Sequence, residues 1–229
     1  MPSFAALLAI ALGLLAAGAS LAVILALRRA RASSAVTALG TGHFAKVLET
    51  AETGRGAGRD DLWAAAVAAK HLLRLDEARG LIDRVLGADP GDGEARLESG
   101  LIAAYAGDLA AAERELLAAA SLRSDLAESI TLHRAWLALR RDPPDLRTAR
   151  RLFDEVESPL ETKLRSDLGG GEPLFAEWFL HAAALWAAFG DPERAAWAAA
   201  AGRSSAPESR LPEVVLPAAL SDPSALPLQ

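Results

Sequence analysis

The chain contains no cysteine. Disulfides, thiolate metal sites, a catalytic thiol and a lipid-bearing cysteine are excluded together. The compartment stays open, because a cysteine-free domain tolerates either redox state. Aromatic residues are scarce at 5%, although 52% of the chain is hydrophobic, and alanine supplies much of the difference. Alanine is the best helix former and fills little core volume, so this balance suits closely packed helices. No run of β-branched residues alternates with period two, which excludes an extensive sheet. The expected fold class is all-α.

Motifs that carry chemistry are missing as well. No two of the four histidines, His43, His71, His133 and His181, share the i,i+4 spacing of a helical metal site, and no HExxH occurs. Each is read as a surface or packing residue. The glycines at 54, 56 and 58 lack a flanking strand and a GK[ST] ending, and no serine lies in G-x-S-x-G. Asp60-Asp61 and Asp76-Glu77 fall near helix starts, where the helix dipole favours acid. The expectation is a protein that is not an enzyme, with no cofactor, no metal and no small-molecule substrate. An excess of positive charge is also absent. The formal net charge is −6, and the ionisable side chains of residues 1–31 are all arginines, at 28, 29 and 31. The remaining chain is more acidic still and repels phosphate backbones, so nucleic acid is not an expected partner.

What the chain does have begins with Phe4–Leu27, which holds one polar side chain, Ser20, and no charge. At about 1.5 Å per residue such a helix is roughly 36 Å long, enough to cross a hydrocarbon core of about 30 Å. A cleaved secretory signal is the alternative, with Ala17-Gly18-Ala19 as a cleavage-like triplet, but no Lys or Arg precedes the run and the run is long. Arg28, Arg29 and Arg31 follow it, so the positive-inside rule puts the C-terminal side in the cytoplasm. Ala9, Gly13 and Ala17 lie four apart and form a small-residue face on which another transmembrane helix could pack.

The rest reads as helical hairpins. Residues 32–58 form a degenerate first hairpin ending in a glycine-rich joint, and 59–92 and 93–126 are two copies of one design. Ala66 and Gly100 are 34 apart, as are Ala78 and Ala112, and Ile82 and Leu116. Two helices crossing within a hairpin need a small side chain where they come closest. Helices at 129–139 and 146–156 form a further pair. Residues 157–173, with Ser158-Pro159 and three glycines, read as a loop holding one helical turn. Residues 174–189 and 193–201 make the last pair. The stripe Phe175, Trp178, Phe179, Leu185, Trp186 and Phe189 reads as core packing, and Arg140, Arg141, Arg147, Arg150 and Arg151 as a solvated face. The tail, 208–229, has prolines at 212, 217, 223 and 227, which forbid a long helix; it caps the last hairpin or is disordered.

These spacings resemble tetratricopeptide repeats (TPR), whose period is 34. Residues 59–92 supply Ala66, Ala78, Ile82 and Pro90, and residues 93–126 supply Gly100, Ala112 and Leu116, with Ser124 where the proline would stand. The resemblance covers residues 59–207 and implies a solenoid of about 4–5 hairpins. It further implies a concave groove lined by the first helix of each hairpin, here Trp63, Val67, Lys70, His71, Leu97, Leu101 and Tyr105. On this reading the chain is a scaffold or adaptor that holds a protein partner in the groove. It is single-pass in a bacterial cytoplasmic membrane through residues 4–27, with its N-terminus outside and its repeats in the cytoplasm. A periplasmic chaperone-like stack, or a dedicated subunit of one membrane complex held by its transmembrane helix, are the alternatives.

Overall fold

In the computed structural model, residues 34–53, 58–167 and 175–221 are described. They are all-helical, with no strand among them. The apolar segment 4–27, and with it Ala9, Gly13 and Ala17, lies outside the described residues. Among the described residues no helix is long and apolar enough to cross a membrane.

Twelve α-helices follow one another among those residues. They are α1 (Ser34–Leu39), α2 (Phe44–Thr53), α3 (Arg59–His71), α4 (Leu75–Ala88), α5 (Gly93–Tyr105), α6 (Leu109–Leu122), α7 (Ala127–Leu139), α8 (Leu146–Asp167), α9 (Ala176–Ala188), α10 (Pro192–Ser205), α11 (Pro212–Val215) and α12 (Ala218–Ser221). The first ten pack in consecutive pairs, giving five helical hairpins at the positions expected from the sequence.

Local chemistry explains the turns. Gly107 and Gly190 adopt φ of +86° and +81°, a left-handed conformation that favours glycine. In each case the next residue, Asp108 or Asp191, caps the following helix by accepting from the backbone N–H of Ala111 or Arg194. The second hairpin has Leu73-Arg74 at the matching register. Leu73 sits at φ 58°, and Arg74 provides no side-chain cap for α4. Arg74→Asp supplies the missing cap, and thermal unfolding should show a gain of about 1 kcal/mol, because the Arg74–Glu77 pair it removes is largely exposed.

The register residues pack as their size requires. Ala78, Ile82, Ala112 and Leu116 are buried. A Cβ added to Gly100 would stand 3.0 Å from Leu116 Cγ and 3.2 Å from the Ala112 carbonyl oxygen. Gly100→Leu therefore forces α5 away from α6. We expect it to cost about 1–3 kcal/mol in urea unfolding, despite leucine's better helix propensity.

Two expectations need correction. Helix α8 does not end at 156: it runs through Pro159 to Asp167. Val156, Leu160 and Leu164 are buried at four-residue spacing, while Pro159 lies on the exposed side. The continuing apolar stripe outweighs the local cost of one proline. The tail packs on the last hairpin, α11 against α9 and α12 against α10, with Arg203 donating to the Leu220 carbonyl. Leu211, Val215, Leu216 and Leu220 are buried, and the chain ahead of them returns to the first two hairpins. There Glu208 pairs with His43 at 3.1 Å, and the Arg210 N–H donates to the His71 carbonyl at 2.8 Å. The second correction concerns the groove.

Candidate functional site

Of the seven residues expected to line an open groove, Val67, Lys70, His71, Leu97, Leu101 and Tyr105 are buried, and Trp63 is half-buried. Two of them are engaged by α9. This helix packs on α7, and its Glu177 and His181, one turn apart, reach Lys70 of α3, Tyr105 of α5 and His133 of α7. Lys70 and Tyr105 are thus bound within the chain rather than open to a partner.

The contact is polar and sealed. Lys70 Nζ donates to Glu98 Oε2 at 2.7 Å and to Glu177 Oε2 at 2.6 Å. The other oxygen of Glu177 accepts from the Tyr105 hydroxyl. His181 Nε2 lies 2.9 Å from that hydroxyl, His181 Nδ1 lies 2.8 Å from His133 Nδ1, and His133 Nε2 lies 3.1 Å from Ser129 Oγ. Lys70, His133 and His181 are at most 1% exposed and Glu177 is 4% exposed. Trp136 stacks on His181 at 4.0 Å between ring centres, closing the far side.

Proton counting fixes the direction of this chain. Tyr105 gives its only hydroxyl proton to Glu177, so its oxygen must accept from His181. His181 is then protonated on Nε2, and its Nδ1 is an acceptor. His133 donates to it from Nδ1, which leaves His133 Nε2 to accept from Ser129. Every donor points the same way, from Ser129 through His133, His181 and Tyr105 to Glu177. Both imidazoles are neutral and fully satisfied. Lys70 donates to the other oxygen of that same carboxylate.

The electrostatics agree. Burial depresses His133 to about 4 and His181 well below its ordinary range. His71, stacked on Phe44 and bonded to Ser209 Oγ at 2.9 Å, falls to about 3, first by burial and then by the neighbouring Lys70 charge. Burial alone would neutralise Lys70, but Glu177 and Glu98 outweigh it and hold the ammonium above its usual range. Burial raises Glu177 as well, but the direction is downward, with the Lys70 charge the chief cause, so its carboxyl stays ionised. Glu98 moves upward, because burial and the Glu177 charge exceed what Lys70 returns. Lys70 and Glu177 are the tightly bound ion pair, and Glu98 is the more easily protonated member.

No protein-family model, curated protein or solved structure matches this chain. Its chemistry is therefore read from its own residues. The saturated network is built for cohesion, since each reactive group is held by another and none faces solvent. No group of side chains among the described residues has the arrangement of a metal site. Of the other sequence candidates, Phe179, Leu185 and Trp186 are buried, whereas Phe175, Trp178 and Phe189 are half-buried. Arg141, Arg150 and Arg151 are paired along their own helix or turn with Asp145, Asp154 and Glu155.

Sequence reading missed Glu98, Ser129 and Glu177, and it treated His133 and His181 as separate packing residues. One signal was present. Glu177 and His181 stand four apart in an otherwise apolar helix, and Ser129 and His133 are also four apart. A charge inside such a helix needs a partner from elsewhere.

Proposed function

We propose that this chain is a non-enzymatic, TPR-like scaffold anchored in a bacterial cytoplasmic membrane, and that its protein partner is held through the transmembrane segment rather than in the concave face. The observation that carries this reading is the burial of the expected groove residues, with Lys70 and Tyr105 bonded to Glu177 of α9. A partner helix entering there would have to expel Glu177 and expose Lys70, which costs several kcal/mol before any new contact forms. The small-residue face Ala9, Gly13 and Ala17 gives the partner a place to pack. The repeats then act as a rigid cytoplasmic body beside the partner. The saturation of the polar network supports the non-enzymatic reading.

Crosslinking in cells, followed by purification in mild detergent, tests this. Gly13→Leu should release the partner, and exposed substitutions on the hairpins should not. A partner retained by Gly13→Leu and lost on hairpin substitution would overturn the reading. A reporter fused after residue 229 tests the topology: activity of a periplasm-only reporter would place the repeats on the wrong side.

A further inference from the structure

A crevice of about 500 Å³ opens between the C-terminal end of α7, the C-terminal half of α9 and the tail. Its floor is Trp136, and its walls include Leu139, Ala184, Ala187, Val215 and Leu216. The alanines on α9 are what leave the space. Arg140 is the charged residue of the lining.

Arg140 has no ion-pair partner among the described residues. Arg141, Arg150, Arg151 and Arg194 have carboxylate partners. Arg140 stands half-buried over Trp136, 5.4 Å from the ring centre, and donates to the Val214 carbonyl at 2.6 Å. That bond uses one of the five N–H donors of its planar fork. The acids nearby are engaged or exposed. Asp145 is held by Arg141 and by the Thr148 N–H, Glu213 is held by Arg210, and Asp142 lies exposed in the turn. A partly desolvated cation with spare donors thus stands at the rim of an apolar cleft. A pocket of this size, apolar but for one placed charge, is the ordinary form of a small-molecule site.

We propose that this crevice binds a free aliphatic monocarboxylate, with the chain lying along Trp136, Ala184 and Ala187 and the carboxylate on the guanidinium of Arg140. The geometry selects this class. A planar fork matches a carboxylate, a single cation matches a single charge, and apart from Arg140 and the indole N–H of Trp136 the lining side chains are apolar. This goes beyond the scaffold reading and does not depend on it. It also differs from the sequence expectation of no small-molecule substrate, because the crevice is a place of binding and not of reaction.

The test uses the full chain in nanodiscs, titrated with 13C-labelled octanoate and followed by NMR and by thermal unfolding. Octanoate should bind saturably and raise Tm. Arg140→Gln should weaken it at least tenfold, and Ala187→Leu, which fills the crevice, should abolish binding with Tm unchanged or raised. 1-Octanol should bind at least tenfold more weakly than octanoate. Equal binding of octanol, or octanoate binding that survives both substitutions, would overturn the proposal. So would a hydrophobic tripeptide with a free carboxylate binding tenfold tighter than octanoate, since that would assign the site to a chain terminus.

Discussion

Replacing Lys70 with methionine should lower the unfolding free energy by about 3–5 kcal/mol, the usual cost of removing one partner of a buried ion pair. Methionine fills similar space, so little of the loss is cavity. Without the ammonium, Glu98 and Glu177 face one another in the interior, and one of them must take up a proton for the fold to persist. Urea denaturation of wild type and variant near pH 7 measures the effect. A second arm separates the charge from the volume. Combining Lys70→Met with Glu98→Gln and Glu177→Gln removes all three charges and should recover a large part of the loss, because the amide oxygen introduced by Glu177→Gln can still accept from Tyr105. If Lys70→Met is neutral, Glu177 does not hold α9 against α3.

Acid should weaken the chain earlier than carboxylates alone require. Unfolded histidines take up protons as pH falls through about 6.5. In the folded chain His133 resists until about 4 and His71 until about 3, with His181 also well below its ordinary range. The unfolded state therefore binds more protons across this window, so the stability these groups contribute is complete above about pH 6.5 and is lost as pH falls. Glu177, held below its ordinary range, adds a further loss only below about pH 4.5, where an unfolded glutamate begins to protonate. Glu98 works in the opposite direction, because its folded pKa is raised. Between about pH 6.5 and 4.5 the three histidines therefore act against Glu98, which offsets part of their loss. Their own total is several kcal/mol, on the order of 1.4 kcal/mol per histidine per pH unit. Urea titrations at pH 7, 6, 5 and 4.5 follow the loss. His133→Gln, whose amide can accept from Ser129 and donate to His181, should flatten the slope by about one proton. Constant stability from pH 7 to 5 would mean that the three rings are already charged or exposed.

The hairpins were legible because their determinants are local. Gly107-Asp108 and Gly190-Asp191 set turn and cap within two residues, and the 34-residue register of Gly100, Ala112 and Leu116 sets the crossing. Pro159 misled for the same reason: a local rule was applied where a stripe three turns long decides. The register also indicates which helices line the inner face, but not what covers it. Lys70 and Glu177 are 107 residues apart, and no periodicity links them. The single trace in the sequence is that each is a charge set among apolar neighbours.

The account rests on α9 being held in place by a one-directional chain of hydrogen bonds. Long-range 1H–15N spectra of the full chain, 15N-labelled at histidine and held in nanodiscs at pH 7, read that chain directly. His133 should carry its proton on Nδ1 and His181 on Nε2, with both rings neutral down to about pH 5. Two rings in the same tautomer, or either ring titrating near 6.5, would contradict it.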